Sequence, residues 1–203
     1  MPVQESYQQK KLKKYFLRIL EEKLAFIVAV PLIAILLTLF VFHFYRVDGI
    51  SMQNTFHNHD LLLVEKLGKT SSSIFRKHYI PKRYDVIVFK EPDFSPGEEI
   101  VKRVIGLPGD TVTFKKDKVI IYNDKNPNGL EVGRGMPWYA KPVDEEYTYD
   151  QETKTKVSEG HVFVLGDNRP HSDDSRVFGL VDTKDIVGKV IIRLLPVNNL
   201  LIL

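Results

Sequence analysis

From Leu24 to Phe42 the chain runs for 19 residues without a single charge. As a helix rising about 1.5 Å per residue, this run is roughly 28 Å long, close to the hydrocarbon thickness of a bilayer. Such a stretch has few outcomes: it spans a membrane, it is removed as a leader, or it fills a core. The flanks discriminate. Lys10, Lys11, Lys13, Lys14, Arg18 and Lys23 precede the run, and only Arg46 follows closely. Residues 1–23 hold six Lys/Arg against three Asp/Glu, while the rest of the chain carries 23 of each sign, so the net charge of +3 lies entirely before the run. The positive-inside rule then places the N-terminus in the cytoplasm. A secretory leader has an apolar core of only about 7–15 residues and a small-residue exit, whereas this run exits through Phe42-His43-Phe44-Tyr45-Arg46. The expected organisation is a basic cytoplasmic segment (1–23), a transmembrane anchor (24–44) and an extracytoplasmic domain (45–203), localised to the plasma membrane as a single-pass protein. Pro31 is compatible with a span.

Beyond the anchor the chain reads as mainly β. Segments 60–65, 84–89, 100–105, 111–115, 118–122, 161–165 and 187–195 are rich in Val, Ile, Leu and aromatics, and Gly, Pro, Asn and Asp separate them. The Lys115-Lys116-Asp117-Lys118 stretch suits a hairpin. Residues 123–160 hold several Gly and Pro, the acidic Asp144-Glu145-Glu146 and the lone Trp138, and read as a loop-rich insertion. The 203 residues suffice for one ordinary domain plus an appendage. With no cysteine in the chain, thiolate catalysis, Cys-bound zinc and disulfides are excluded.

Three clusters are rich in potential chemistry: Gly49-Ile50-Ser51-Met52-Gln53-Asn54-Thr55, residues 100–110 around Lys102, and residues 166–176. Serines beside glycines are ordinarily turn or capping residues, and the chain has neither a Gly-x-Ser-x-Gly elbow nor a Ser-x-x-Lys motif. His57 and His59 flank Asn58 beside Asp60, but without a third spaced ligand a solvated loop accounts for them better than a metal corner. Lys102 is more telling. Strand alternation places it between Ile100 and Val104 on one face, with Val101, Arg103 and Ile105 on the other. Such a lysine either snorkels to water or is held dry, where desolvation lowers its pKa by about 3–5 units and leaves a neutral amine able to act as a base. In the second case it can deprotonate Ser51 without any histidine.

Together the clusters resemble the type I (leader) signal peptidases, membrane-bound serine proteases that remove signal peptides from exported proteins. Members carry Ser-Met-x-Pro-Thr, a strand similar to residues 84–89, then Lys-Arg-x-x-Gly-x-Pro-Gly-Asp, then Gly-Asp-Asn-Arg-x-x-Ser-x-Asp-Ser-Arg. The last motif is complete here from Gly166 to Arg176, and the second runs from Lys102 to Asp110. The short length and single span look like the Gram-positive type of the family. The resemblance implies a signal-peptidase-like β-strand catalytic domain, with Ser51 as nucleophile and Lys102 as general base. It further implies that Ser172 hydrogen-bonds the Lys102 amine and that Asp174 and Arg176 pair to hold the loop. Small pockets for Ala side chains are expected around Val47, Gly49, Met52, Ile100 and Val101, with Asp48 and Tyr45 as weaker candidates. The implied partners are signal peptides of exported preproteins, cleaved after an Ala-x-Ala-like site, and the lipid bilayer; no metal, cofactor or nucleic acid is implied.

Two positions depart from the pattern. Gly49 stands where some relatives place a serine that helps the oxyanion, which leaves more of that task to the Ser51 N–H. Asn54 replaces the usual proline, so the loop is expected to be looser, with Asn54→Pro harmless or mildly beneficial. Ser51 lies seven residues after Phe44, so at about 3.6 Å per residue it is within roughly 25 Å of the expected bilayer edge. Two other readings fit parts of the pattern. A self-cleaving repressor-type Ser/Lys protease would carry a DNA-binding helix-turn-helix instead of the apolar run. A non-catalytic membrane-anchored module would hold exported chains without cutting them.

Overall fold

The computed structural model describes residues 2–66, 79–91, 96–116, 118–133, 136, 138, 149–196 and 200–203. The chain divides into two compact units, Met1–Val41 and Phe42–Leu203. The first is a single helix, α1 (Pro2–Phe40), which carries Pro31 inside it. Its large apolar side chains from Leu24 to Leu36 are exposed by 46–71%. Among the described residues no helix is long and apolar enough to cross a membrane; the side chains of residues 37–40, within the expected span, lie outside those described.

The helix stops earlier than the expected boundary after Phe44. Phe42–Arg46 forms strand β1, whose backbone pairs with β2 (Leu61–Glu65) from Phe42↔Glu65 to Arg46↔Leu61. The aromatic segment expected to end the anchor therefore belongs to the sheet, because aromatics suit a pleated strand as well as a membrane interface.

The second unit is mainly β, as expected. Its further strands are β3 (Val86–Lys90), β4 (Glu99–Gly106), β5 (Thr111–Lys116), β6 (Lys118–Asn123), β7 (Asn126–Glu131), β8 (Tyr149–Lys156), β9 (His161–Leu165), β10 (Val181–Asp182), β11 (Ile186–Leu195) and β12 (Leu201–Ile202). Eight strands form one sheet in the order β1-β2-β11-β3-β4-β9-β10, with β12 also on β11, and four form a second in the order β7-β6-β5-β8. Every pairing is antiparallel. The expected hairpin is present, with Lys115 opposite Lys118.

The described parts of the loop-rich insertion expected at 123–160 also contain strands, and residues 139–148 lie outside the described residues. The insertion supplies β7 and β8, the two edges of the second sheet. Asn126-Pro127-Asn128-Gly129 reads as a turn on propensity, yet Ile120 and Ile121 of β6 pair with Glu131 and Leu130 and draw it into the sheet; pairing overrides a weak local preference. The acidic stretch 144–146 lies outside the described residues.

Three buried apolar clusters hold this unit. Ile105, Phe163 and Leu165 of the larger sheet pack with Val112, Phe114, Val119 and Ile121 of the smaller, joining the two layers. Val47, Met52, Phe56, Leu62, Val64, Val86, Val88 and Val190 form a second cluster, and Val101 packs against it. Ile87, Phe89, Val104, Val162, Val164, Val181 and Ile186 form the third, with Ile100 against it. Successive residues of β4 thus serve opposite clusters, as strand alternation requires.

Candidate active site

Three polypeptide segments converge around Ser51: the turn 47–60, strand β4 and the loop after β9. The turn owes its shape to local bonds, with Gln53 N donating to Ile50 O at 3.0 Å, and Thr55 N and Phe56 N both donating to Met52 O, at 3.0 and 2.8 Å. Met52 and Phe56 anchor it from below, being 2% and 0% exposed.

Lys102 lies opposite Ile87 in the β3–β4 register. It is 4% exposed, and its Nζ is hydrogen-bonded to Ser51 Oγ at 2.7 Å. Of the two readings of this lysine, the structure selects the dry one. Burial lowers its pKa from 10.5 to about 8; Asp174 opposes the fall most, Asp173 and Asp167 also oppose it, and Arg176 reinforces it. Removal from water outweighs the nearby carboxylates because the ammonium loses hydration that no adjacent ion pair replaces.

The loop after β9 is organised by Asp174, which is fully buried. Arg176 grips its carboxylate with Nε on Oδ1 at 2.7 Å and a terminal nitrogen on Oδ2 at 2.8 Å, a two-pronged pair of the stronger kind. The Gly166 N–H donates to the same Oδ2 at 2.9 Å. The Ser172 hydroxyl, expected on the Lys102 amine, instead donates to Asp174 Oδ2 at 3.0 Å. The carboxylate lies two residues along the same turn and is a stronger acceptor than an amine carrying its own protons.

Gly166 brings this loop against the serine turn. A Cβ there would lie 2.1 Å from Ser172 Oγ and 2.5 Å from the Ser51 carbonyl oxygen. Asn168 makes the link, its backbone N–H donating to Ser51 O at 3.0 Å and its side-chain amide to Ile50 O at 3.1 Å. Asn168 has no role among those the motif implies, and its place within the complete Gly166–Arg176 motif is the sequence signal for it.

A second polar cluster, to which the motifs assign no role, adjoins the first. Arg103, beside Lys102 in β4, donates from Nε to Asp167 Oδ1 at 2.8 Å and from a terminal nitrogen to Oδ2 at 2.7 Å, with both side chains buried. The same guanidinium donates to Thr55 Oγ1 at 3.1 Å and to Tyr84 O at 2.9 Å, and Thr55 in turn donates to Asp167. The available signal was a charged residue on the apolar β4 pattern, which needs a buried partner.

A groove of about 590 Å³ opens beside Ser51 and Lys102. Val47, Gly49, Met52, Ile100 and Val101 line it, together with Tyr45 and Asp48. Among the described residues β1 pairs only with β2, and β4 pairs with β9 only from Arg103 onward, which leaves one edge of β1 and of residues 99–102 of β4 without a strand partner. Gly49 adopts φ +99°, and its N–H donates to Asn58 Oδ1 at 3.0 Å. His57 and His59 are exposed in the same turn.

Asn54 departs from expectation. It adopts φ +95°, a left-handed conformation that asparagine tolerates and proline, locked near −65°, does not. The turn is therefore not a loosened version of one built on proline, and the expectation that Asn54→Pro is harmless fails.

Residues 20–195 match the family model described as signal peptidase, peptidase S26. The chain is 41% identical over 176 residues to a signal peptidase I of Bacillus caldolyticus, covering 83% of this chain and 87% of the relative. It is 36% identical over 157 residues to signal peptidase I V of Bacillus subtilis, covering 74% and 84%. A crystal structure of a signal peptidase I from Enterococcus faecalis aligns at 34% identity with a TM-score of 0.40, over 54% of this chain and 95% of that one. The chain belongs to the signal peptidase family of S26 peptidases and is a serine endopeptidase.

Proposed function

We propose that this protein removes signal peptides from exported preproteins after an Ala-x-Ala-like site, with Ser51 as nucleophile and Lys102 as general base. The observation that carries the reading is the 2.7 Å contact between Ser51 Oγ and a buried lysine whose pKa has fallen to about 8. A neutral Lys102 takes the hydroxyl proton as Ser51 Oγ bonds to the scissile carbonyl carbon. The backbone N–H of Ser51 stabilises the resulting oxyanion. Collapse breaks the peptide bond, and the protonated Lys102 gives its proton to the departing amine. Water then attacks the acyl-enzyme carbonyl while Lys102 accepts its proton, and as the ester bond to Ser51 Oγ breaks Lys102 returns that proton to Oγ, which frees the signal peptide's new C-terminus and restores both Ser51 and the neutral amine.

Asp174 and Arg176 support this chemistry by fixing the loop, and Ser172 contributes through its bond to Asp174. The substrate lies extended in the groove, where the free edges of β1 and β4 offer main-chain partners and Val47, Gly49, Met52, Ile100 and Val101 form shallow pockets for small side chains.

α1 anchors the enzyme in the plasma membrane, with residues 1–23 cytoplasmic and the β unit outside. Support comes from the 19 uncharged residues, the basic N-terminal flank and the bare apolar side chains of α1. Incubating full-length protein with a preprotein tests the reading. Wild type releases the mature product, Ser51→Ala and Lys102→Arg do not, and retained cleavage by Lys102→Arg sinks the base assignment because a guanidinium does not deprotonate. External protease on wall-stripped cells digests the β unit and spares residues 1–23; the reverse pattern refutes the topology.

A further inference from the structure

The lone tryptophan of the chain lies in the crossover between β7 and β8, remote in sequence from every residue assigned a chemical role above. Its ring nonetheless covers the Arg103 guanidinium, with Cζ 4.4 Å from the ring centroid. It also sits 5.4 Å from the ring of Tyr84, whose carbonyl accepts from the same guanidinium, and it packs against the apolar cluster joining the two sheets.

We propose that Trp138 is a positioning residue for the reaction: by covering the face of Arg103 it keeps water from the Arg103–Asp167–Thr55 junction that aligns Ser51 with Lys102. The inference rests on the Ser51/Lys102 reading. Arg103 follows Lys102 in β4, so fixing its side chain fixes the backbone that carries the base. Asp167 lies between Gly166, which abuts the Ser51 carbonyl, and Asn168, which donates to it. Thr55 closes the turn that begins at Met52, next to Ser51. One guanidinium therefore ties together all three segments of the site. Its edges are spent on Asp167, Thr55 and Tyr84, which leaves its flat faces for an aromatic partner. A planar π face over a desolvated cation holds it where an aliphatic side chain offers only bulk.

The test compares Trp138→Phe and Trp138→Leu in the full-length protein, with preprotein cleavage as the assay and Ser51→Ala as the control. Trp138→Leu should lower kcat about 5- to 30-fold, the range set by a desolvated cation–π contact, with KM within about twofold because Trp138 does not line the groove beside Ser51. Trp138→Phe should retain most of kcat, since it keeps a π face. Circular dichroism and thermal melting identify variants that fail to fold, and Trp138→Tyr replaces Trp138→Phe if that variant does. Equal kcat for the leucine and phenylalanine variants, or a loss confined to KM, overturns the proposal. An active Ser51→Ala control would instead overturn the nucleophile assignment on which it rests.

Discussion

Replacing Lys102 by methionine should abolish cleavage and at the same time make the β unit more stable near neutral pH. The side chain is 4% exposed, and its pKa falls from 10.5 to about 8 on folding. The unfolded chain holds the proton up to about pH 10.5 and the folded one releases it at about 8, so between these values the unfolded state binds more protons and stability rises with pH. The penalty is complete below pH 8, where folding must bury a charge; at 1.36 kcal/mol per pH unit it amounts to about 3 kcal/mol. Methionine has similar length and no charge, and it loses the bond to Ser51, worth about 1 kcal/mol. Lys102→Met should therefore gain about 2 kcal/mol at pH 6.5, and the gain should shrink nearly to zero by pH 9.5. Urea titrations of both proteins in the same detergent, followed by Trp138 fluorescence, read this directly, since the only tryptophan reports on the β unit. A variant less stable than wild type at pH 6.5, or a difference that does not change with pH, would refute the claim that Lys102 is held dry with a lowered pKa.

The same ionisation should govern catalysis: wild-type kcat/KM should rise with pH to half its plateau near pH 8 and stand at about one-tenth of it at pH 7, and a flat profile from pH 6 to 9 would remove Lys102 from the base role. Because Asp174 is the largest influence raising the amine, Asp174→Asn should move that midpoint to lower pH, while loss of the buried carboxylate from its ion pair with Arg176 destabilises the fold by about 3–5 kcal/mol; a midpoint moving upward contradicts the electrostatics. Asn54→Gly should match wild type or gain up to about 1 kcal/mol in a thermal melt, whereas Asn54→Pro should lose cleavage by tenfold or more, because φ +95° is open to one and closed to the other. Gly166→Ala should cost about 1–3 kcal/mol of stability and about 100-fold in kcat, since the added carbon must displace either Ser172 or the Ser51 carbonyl; near-normal turnover would mean that the two loops are not in contact in solution.

Much of this protein is written in local sequence, because the features concerned are local. The uncharged run and its basic flank are properties of consecutive residues, and the strand segments around 61–65, 86–90, 99–106 and 161–165 follow from side chains that suit a pleated, buried surface. The resemblance of the motifs at Ser51, Lys102 and 166–176 needed no coordinates, and neither did the list of groove residues drawn from it. What sequence alone left undecided is what depends on partners distant in the chain. Asn126–Glu131 becomes a strand only because β6 is there to pair with it, and Phe42–Arg46 joins a sheet because β2 offers an edge. Asn54 takes a left-handed conformation because the turn on either side of it is bonded through Met52. Ser172 turns to Asp174, and Arg103 meets an aspartate 64 residues away. The basicity of Lys102 is the clearest division: strand alternation placed the lysine among apolar neighbours, but only the closed tertiary structure removes the water, and it is the loss of that water that lowers the pKa.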